Sequence, residues 1–449
     1  MITLRDFRQE VRITFTLAFP LVVGQVGHIM IGVADSVMVG YVGVIPLAAA
    51  ALANRLFAII MVLGMGMSFA ITPFVAQAIG ANQREKCPET LKQGMHVSLL
   101  TAVILILLTE LTADLIPFLN SSPEVSTQAR EYLRILGASV VPFMIFQCFR
   151  QFSEGLSRMW PAMILNIIAN GVNIFFNWIF IYGHFGFPAM GLNGAGYSTL
   201  ITRLMMATAL VIYVLKTEFY KPYLPRFFPI KFDWREMGKI FSLGLGSGLQ
   251  YFFEGGVFTA ATIMIGWINP QSMAAHQVAL NSASVTYMFA AGISAAAAVR
   301  VGQAKGEKSN LKMRNAGFSA FTLSAIIMSF WAVVFILFCR IIPRFYISDQ
   351  GVIDLSAKLL IVAALFQVSD GIQVVGVGAL RGMSDVHVPT FFSFIAYWVV
   401  GLPAGYILAF PLKMNAAGVW FGLFIGLTVF ACFMVYRFYK KTKNTSLTV

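Results

Sequence analysis

SVMVGYVGVIPLAAAALANRLFAIIMVLGMGMSFAITPFVAQAIG, residues 36–80, carries one charged residue, Arg55. A helix needs roughly 20 apolar residues to cross about 30 Å of hydrocarbon, and this run exceeds that length. The pattern returns 226 residues later. TIMIGWINPQSMAAHQVALNSASVTYMFAAGISAAAAVRVGQAKG (262–306) aligns on it without a gap, pairing Gly40 with Gly266, Ala48 with Ala274, Ala49 with Ala275, Gly66 with Gly292, Gln77 with Gln303 and Gly80 with Gly306. Matched alanines mean little between two low-complexity segments. The matched glycines and the shared QAxG ending mean more. A weaker echo relates GLNGAGYSTLI (191–201) to KMNAAGVWFGL (413–423).

Similar runs fill the chain. Apolar residues make up 58% of 449 and charged residues 11%, with a mean hydropathy of +0.77. A soluble domain carries about 25% charged residues, so this is a polytopic membrane protein. Twelve spans are expected, near 13–36, 47–79, 93–117, 130–150, 160–182, 192–215, 238–265, 274–300, 315–339, 352–379, 389–411 and 416–438. The repeat unit covers six of them. An even number of crossings returns the chain to the same side, so the halves are parallel repeats, an arrangement many secondary transporters use to expose a site alternately. The expected fold is therefore all-α, with twelve transmembrane helices in two pseudo-symmetric six-helix lobes. The expected division is 1–215 for the first lobe, 216–237 for a proline-containing cytoplasmic linker and 238–449 for the second lobe.

The net charge of +13 raises nucleic acid as a partner, but the placement of the charges excludes it. With the N-terminus inside, 24 of 32 Lys and Arg fall on the cytoplasmic side, in 1–12, 84–92, 150–158, 216–239, 300–314, 381 and 437–443. That asymmetry follows the positive-inside rule and places both termini in the cytoplasm, with the basic loops against anionic lipid. The first span is too long for a cleavable signal peptide and lacks a small-residue cleavage site. The four cysteines form no CxxC pair and no metal spacing, so neither a disulfide nor zinc is expected.

Three carboxylates lie inside spans: Asp35 in GVADSVMVG, Glu254 in SGLQYFFEGGVFTAATIMIG and Asp370 in FQVSDGIQVVGVGAL. A charge at the bilayer centre costs about 2.5–3.5 kcal/mol on insertion scales, so each must face a partner, a ligand or water. The deep bases, Arg55 and Arg203, both belong to the first half, and only His276 is placed to reach Glu254 or Asp370. An acid left without a base takes a proton or binds a cation. Two neighbouring acids suit Na⁺, a shared proton or a cationic substrate. In the repeat register Glu254 falls on His28 and Asp35 on Ala261, so the acidic sites are not equivalent. Span 5 adds Asn170, Asn173 and Asn177 along one helix face. They read equally well as helix–helix hydrogen bonders or as carbonyl-rich partners of Asp35. Pro20 is expected to kink or loosen span 1. Residues placed to line a pocket beside the acids are Gln250, Phe253, Tyr287, Met288, Phe289 and Phe366.

Together these segments resemble the multidrug and toxic compound extrusion (MATE) transporters, in particular the NorM branch. The resemblance spans about 10–440. It rests on LAFPLVVGQVGHIMIGVADSVMVG, on the turns QAIGANQ and GQAKGEK, on NIFFNWIFIYG followed by GLNGAG, and on QYFFEGG with VSDGIQVVGVGALRG. It implies drug efflux driven by inward flow of Na⁺ or H⁺, with no other cofactor. It further implies a first-lobe proton or cation site at Asp35, supported by Asn173, Asn177 and Thr199. The second-lobe site would lie at Glu254 and Asp370 and would be the only place for Na⁺. Some members carry Asp where this chain has Asn177, and some carry Tyr where it has Phe366, so one charge and one hydroxyl are missing here.

The expectation is a monomeric antiporter of the inner membrane. It exchanges cationic amphipathic compounds for Na⁺ or H⁺, with lipid around it and no nucleic-acid partner. A lipid-linked precursor flippase of a related two-lobe class is the alternative and would want a cationic cavity for pyrophosphate. An intramembrane enzyme is not expected, because no HExxH, nucleophile–base pair or metal cluster occurs in the sequence.

Overall fold

The computed structural model describes residues 4–119, 122–224 and 232–443. The expected linker, 216–237, thus lies partly outside the described residues, as do the extreme ends of both expected lobes. Twelve long helical segments follow one another, with short 3-10 turns at Glu218–Tyr223 and Ile342–Phe345, and no strand occurs among the described residues. They are α1 (Leu4–Gly40), α2 (Val44–Gly80), α3 (Lys86–Leu119), α4 (Pro123–Ala138 bent by 41° into Val140–Gly155), α5 (Trp160–Tyr182), α6 (Leu192–Lys216), α7 (Trp234–Gly266), α8 (Pro270–Gly306), α9 (Asn310–Leu337), α10 (Gln350–Gly382), α11 (His387–Ala409) and α12 (Asn415–Lys443).

Ten of these are long and apolar enough to span a membrane, and bent α4 makes an eleventh. The twelfth is α7. Its 33 residues suffice in length, and it carries Gln250, Glu254 and a charged first turn among its apolar residues. The helices also outrun the expected spans. α1 and α8 are 37 residues each, about 55 Å at 1.5 Å per residue, because a helix need not stop where the hydrocarbon does. Helix α1 continues through Pro20.

Local chemistry sets several starts. Asn269 accepts from the Ser272 amide at 2.7 Å, with Pro270 in the first turn of α8. Asp349 accepts from the Val352 amide at 2.8 Å to open α10. In α11 the ladder widens to a π-helix over Ile395–Gly401.

The repeat is visible in the helix ends. α2 and α8 coincide at both ends with an offset of 226, and α1 and α7 end at Gly40 and Gly266. α4 matches α10 at both ends with an offset of 227, and so does α5 with α11. The left-handed turn residues recur too: Asn82 with Lys308, Ser157 with Ser384 and Gly191 with Lys413. Non-glycine residues seldom adopt positive φ, so their recurrence at matched turns is a stronger mark of duplication than matched alanines.

By packing, the chain forms two compact units. One comprises Val23–Ile79 and Gln83–Gly248; the other comprises Met1–Val22, Gly80–Asn82 and Leu249–Val449. Helices α1 and α7 contribute to both, changing at Val22 and at Gly248, again 226 residues apart. In the first unit, Tyr132, Leu133 and Leu136 of α4 join Ala49, Ala53 and Phe57 of α2 in one buried cluster. In the second, α10 lies close against α8. A Cβ at Gly378 would fall 2.2 Å from the Ser294 carbonyl oxygen, and one at Gly382 would fall 2.5 Å from that of Ala298. Glycines spaced by four let helix backbones meet where lipid offers no hydrophobic drive. The Ser294 hydroxyl donates to the Val374 carbonyl at 2.7 Å, fixing the part of α10 that follows Asp370.

Candidate functional site

In the first unit, α1 presents Asp35, which is 7% exposed. α5 presents Asn177, whose Nδ2 donates to Asp35 Oδ1 at 2.6 Å and to Asn173 Oδ1 at 3.2 Å. α6 presents Thr199, whose hydroxyl donates to Asp35 Oδ2 at 3.3 Å. One turn before Asn173, Asn170 donates to the Gly27 carbonyl at 2.9 Å, joining α5 to α1. The asparagine face thus divides: Asn170 bonds helix to helix, and Asn177 serves the acid. It serves it through its amide N–H, not through a carbonyl. Asn177 Oδ1 and Asn173 Nδ2 are buried without a partner.

Asp35 opens into a cavity of about 330 Å³ that Phe57, Tyr132, Gln147, Thr199 and Arg203 also line. The Arg203 guanidinium lies 5.3 Å from the Phe57 ring centre and 4.9 Å from that of Phe143, and donates to the Ser139 hydroxyl at 2.7 Å. It acts on Asp35 through space rather than by direct contact. The other deep base, Arg55, is exposed. Tyr132 and Gln147 escaped notice in the sequence, since no pattern marks one Tyr or Gln among many.

A fourth buried carboxylate accompanies the three expected. Glu154, read from the sequence as part of a cytoplasmic loop, is 2% exposed because α4 continues to Gly155. Arg150, one turn earlier, donates to it at 2.7 Å and neutralises it.

In the second unit, α7 brings Glu254 and α10 brings Asp370, each 6% exposed. One neutral group joins them. Gln373 Nε2 donates to Glu254 Oε1 at 2.9 Å and to Asp370 Oδ1 at 3.1 Å. No ion pair to either acid occurs among the described residues. Gln373 was missed, although its place three residues after Asp370 puts both on one helix face. Its Oε1 is buried without a partner, as is the Tyr397 hydroxyl from the π-helical turn. Tyr287 and Tyr397 lie close enough to feel both carboxylates.

His276 does not reach the acids. Its Nδ1 accepts from Trp420 Nε1 at 3.1 Å, and its Nε2 meets the Thr262 hydroxyl at 2.8 Å. The residues expected to line a pocket are divided in the same way. Tyr287 lies near the acids and packs on the cluster of Ala290, Met328 and Val374, and Gln250 is buried one turn before Glu254. Phe366 stacks on Trp420, Phe253 packs on Phe394 and Phe289 on Trp331, while Met288 is half-buried.

Two repeated lobes with unlike polar centres match a known family. The MatE family pattern covers residues 20–179 and again 247–407, once in each half. The chain belongs to the MatE family. It is 33% identical over 97% of its length to a probable multidrug resistance protein NorM from Mesorhizobium japonicum, covering 95% of that protein. It is 32% identical to the multidrug resistance protein NorM of Aliivibrio fischeri, with 98% of this chain and 96% of that one covered. With MdtK of Yersinia pseudotuberculosis it shares 33% identity over 95% of both. Among solved structures, the eukaryotic MATE transporter AtDTX14 has the same fold, at a TM-score of 0.87 and 20% identity, with 98% of this chain and 100% of that one covered. A MOP superfamily transporter from Pyrococcus furiosus agrees at 0.88 and 22%, with 98% and 97% covered. The MatE fold thus accounts for the all-α two-lobe layout, and the family consists of transporters rather than enzymes.

Proposed function

We propose that this MatE protein is a secondary antiporter of the inner membrane. It exports cationic, amphipathic organic compounds in exchange for Na⁺ or H⁺, and it works as a monomer with both termini in the cytoplasm. The observation that carries the reading is the acid pair of the second lobe: two buried carboxylates joined by one neutral amide, with no ion-paired base among the described residues. Such a pair lowers its free energy by taking up a proton or a cation. The donor set fits a hard cation. Carboxylate oxygens of Glu254 and Asp370 lie beside the unpartnered Gln373 Oε1, and the Tyr397 hydroxyl is a further unpartnered oxygen. Coupling requires that ion and drug prefer different states or compete for the same acids.

Asp35, supported by Asn173, Asn177 and Thr199, is the coupling or substrate group of the first lobe. Its neutral donors, with Arg203 donating to Ser139 instead, leave it able to accept a proton or a cationic group. The flippase alternative wants a cationic cavity. Arg203 and Arg150 do line the first-lobe cavity, but Arg150 is spent on Glu154, and the relatives bear multidrug resistance names.

The test is efflux of a fluorescent organic cation from proteoliposomes under an imposed Na⁺ or pH gradient. Wild type should transport with one gradient, and Glu254→Gln should not. Normal pumping by the variant would reduce Glu254 to a structural hydrogen bonder. Downhill flux without any ion gradient would make the protein a passive channel.

A further inference from the structure

A second concavity lies in the second unit and is lined by neither acid. It is a groove of about 630 Å³ walled by α9, α10 and α12, through Phe318, Ile372, Ala431, Val435, Tyr436 and Tyr439. All three helices are apolar enough to span the membrane, so the groove opens towards hydrocarbon. Its floor is mostly apolar. Its two inner polar groups satisfy each other, the Thr428 hydroxyl donating to that of Ser369 at 3.0 Å. One end is basic. Arg314 lies over the rings of Phe318 (5.8 Å) and Tyr439 (5.0 Å), Lys440 over Tyr436 (6.0 Å) and Lys443 over Tyr439 (5.8 Å). None of the three forms an ion pair among the described residues. Nearby Asp385 is already engaged, by Arg437 at 2.8 Å and Lys441 at 3.3 Å.

We infer that this groove is a binding site for one anionic phospholipid, with an acyl chain along Ile372, Ala431 and Val435 and the phosphate among Arg314, Lys440 and Lys443. The shape and the charge point to the same ligand. A soluble anion would use the basic rim and leave the apolar floor wet. A zwitterionic lipid would fill the floor and leave the cations unbalanced. The rim belongs to the basic segments 300–314 and 437–443, which the positive-inside rule places against the leaflet that holds anionic lipid. The site also lies behind the coupling pair. Ser369 and Ile372 wall the groove, while the neighbouring Gln373 bonds both Asp370 and Glu254. A bound lipid would brace the helix segment that holds the acids.

The full-length protein, titrated with phosphatidylglycerol or with phosphatidylcholine of the same chains, can be followed by native mass spectrometry. One phosphatidylglycerol should bind more tightly than phosphatidylcholine. Each charge removed should weaken it about fivefold. Arg314→Gln/Lys440→Gln/Lys443→Gln should therefore bind roughly a hundredfold more weakly, and Arg314→Lys alone should retain binding. Val435→Trp should displace the lipid while leaving the rim intact, and an unchanged melting temperature would show that each variant is folded. Equal retention of the two lipids overturns the proposal, and so does wild-type phosphatidylglycerol binding by the triple variant.

Discussion

Glu254→Gln probes the acid pair before any transport is measured. Gln373 Nε2 donates to both acids, at 2.9 and 3.1 Å, so a cation taking up that central position would lie about 3–4 Å from each carboxylate. A unit charge at 4 Å is worth about 4 kcal/mol at an effective dielectric near 20. Removing one carboxylate should thus weaken cation binding by about 4 kcal/mol, close to a thousandfold. The fold should scarcely respond. The new amide oxygen still accepts from Gln373, and a charge-assisted bond worth about 1.5–3 kcal/mol becomes a neutral one worth about 0.5–1.5. That loss is offset by removal of an uncompensated buried charge. The assay is the melting temperature of purified protein as choline is replaced by sodium at fixed ionic strength, repeated across pH. A ligand at a hundred times its Kd stabilises by about 2.7 kcal/mol, whereas a thousandfold weaker one at the same concentration adds less than about 0.1. The wild type should therefore respond to sodium or to pH, and the variant should lose that response while keeping its ion-free melting temperature within a few degrees. A variant that keeps the wild-type response to both would refute the assignment of the coupling ion to this pair.

The other expectations concern the scaffold and the first lobe. Asn177→Leu removes the 2.6 Å bond to Asp35 and leaves it the 3.3 Å bond from Thr199. It should cost about 1.5–3 kcal/mol, read as a fall in melting temperature, and reduce efflux, whereas Asn177→Asp should make efflux more dependent on the driving cation. Gly378→Val places a branched side chain where even a Cβ would lie 2.2 Å from a carbonyl oxygen. Loss of the monodisperse peak in size-exclusion chromatography is expected, since even modest overpacking costs about 1–3 kcal/mol. Arg437→Gln breaks a two-pronged bond to Asp385, which is 10% exposed at its side chain. It should lower stability by about 2 kcal/mol in a denaturation series, softened by Lys441.

The sequence made the scaffold legible because its signals are long. Apolar runs, the asymmetry of Lys and Arg and an ungapped repeat each draw on dozens of residues. The three mid-span acids were legible because charge is expensive in lipid and therefore conspicuous. What escaped was neutral or local. Gln373 carries no charge, yet its spacing of three from Asp370 offered a signal. Glu154 was misplaced because the end of α4 was drawn at the limit of apolarity, whereas the helix runs on; its spacing of four from Arg150 was the available clue. The aromatic candidates failed to sort themselves for a different reason. Whether Phe366 faces a pocket or stacks on Trp420 depends on a helix far along the chain. The π-helical turn that leaves the Tyr397 hydroxyl unpartnered has no mark in the sequence.

The repeat also bears on how the two lobes divide their work. Three helix pairs match at both ends and three left-handed turns recur, but the polar centres do not. With the offset of 226, Asp35 falls on Ala261. With 227, Asn173 and Asn177 fall on Val400 and Ala404, and Asp370 and Gln373 fall on Phe143 and Phe146. With 222, Arg203 falls on Ile425. With 226, Glu254 falls on His28, so most but not all of each centre stands where its partner lobe is apolar. Phe143 is the sharpest case: the ring beneath the Arg203 guanidinium occupies the place that Asp370 holds in the other lobe. One lobe uses that position to seat a cation and the other to present an anion. A duplication kept only for a doubled site would preserve like charge at like positions. Here the duplicated part is the helix framework and its turns, which any alternating two-lobe machine needs, while the acids diverged. Asp35→Asn and Glu254→Gln should accordingly fail in different ways, and neither lobe should rescue the other.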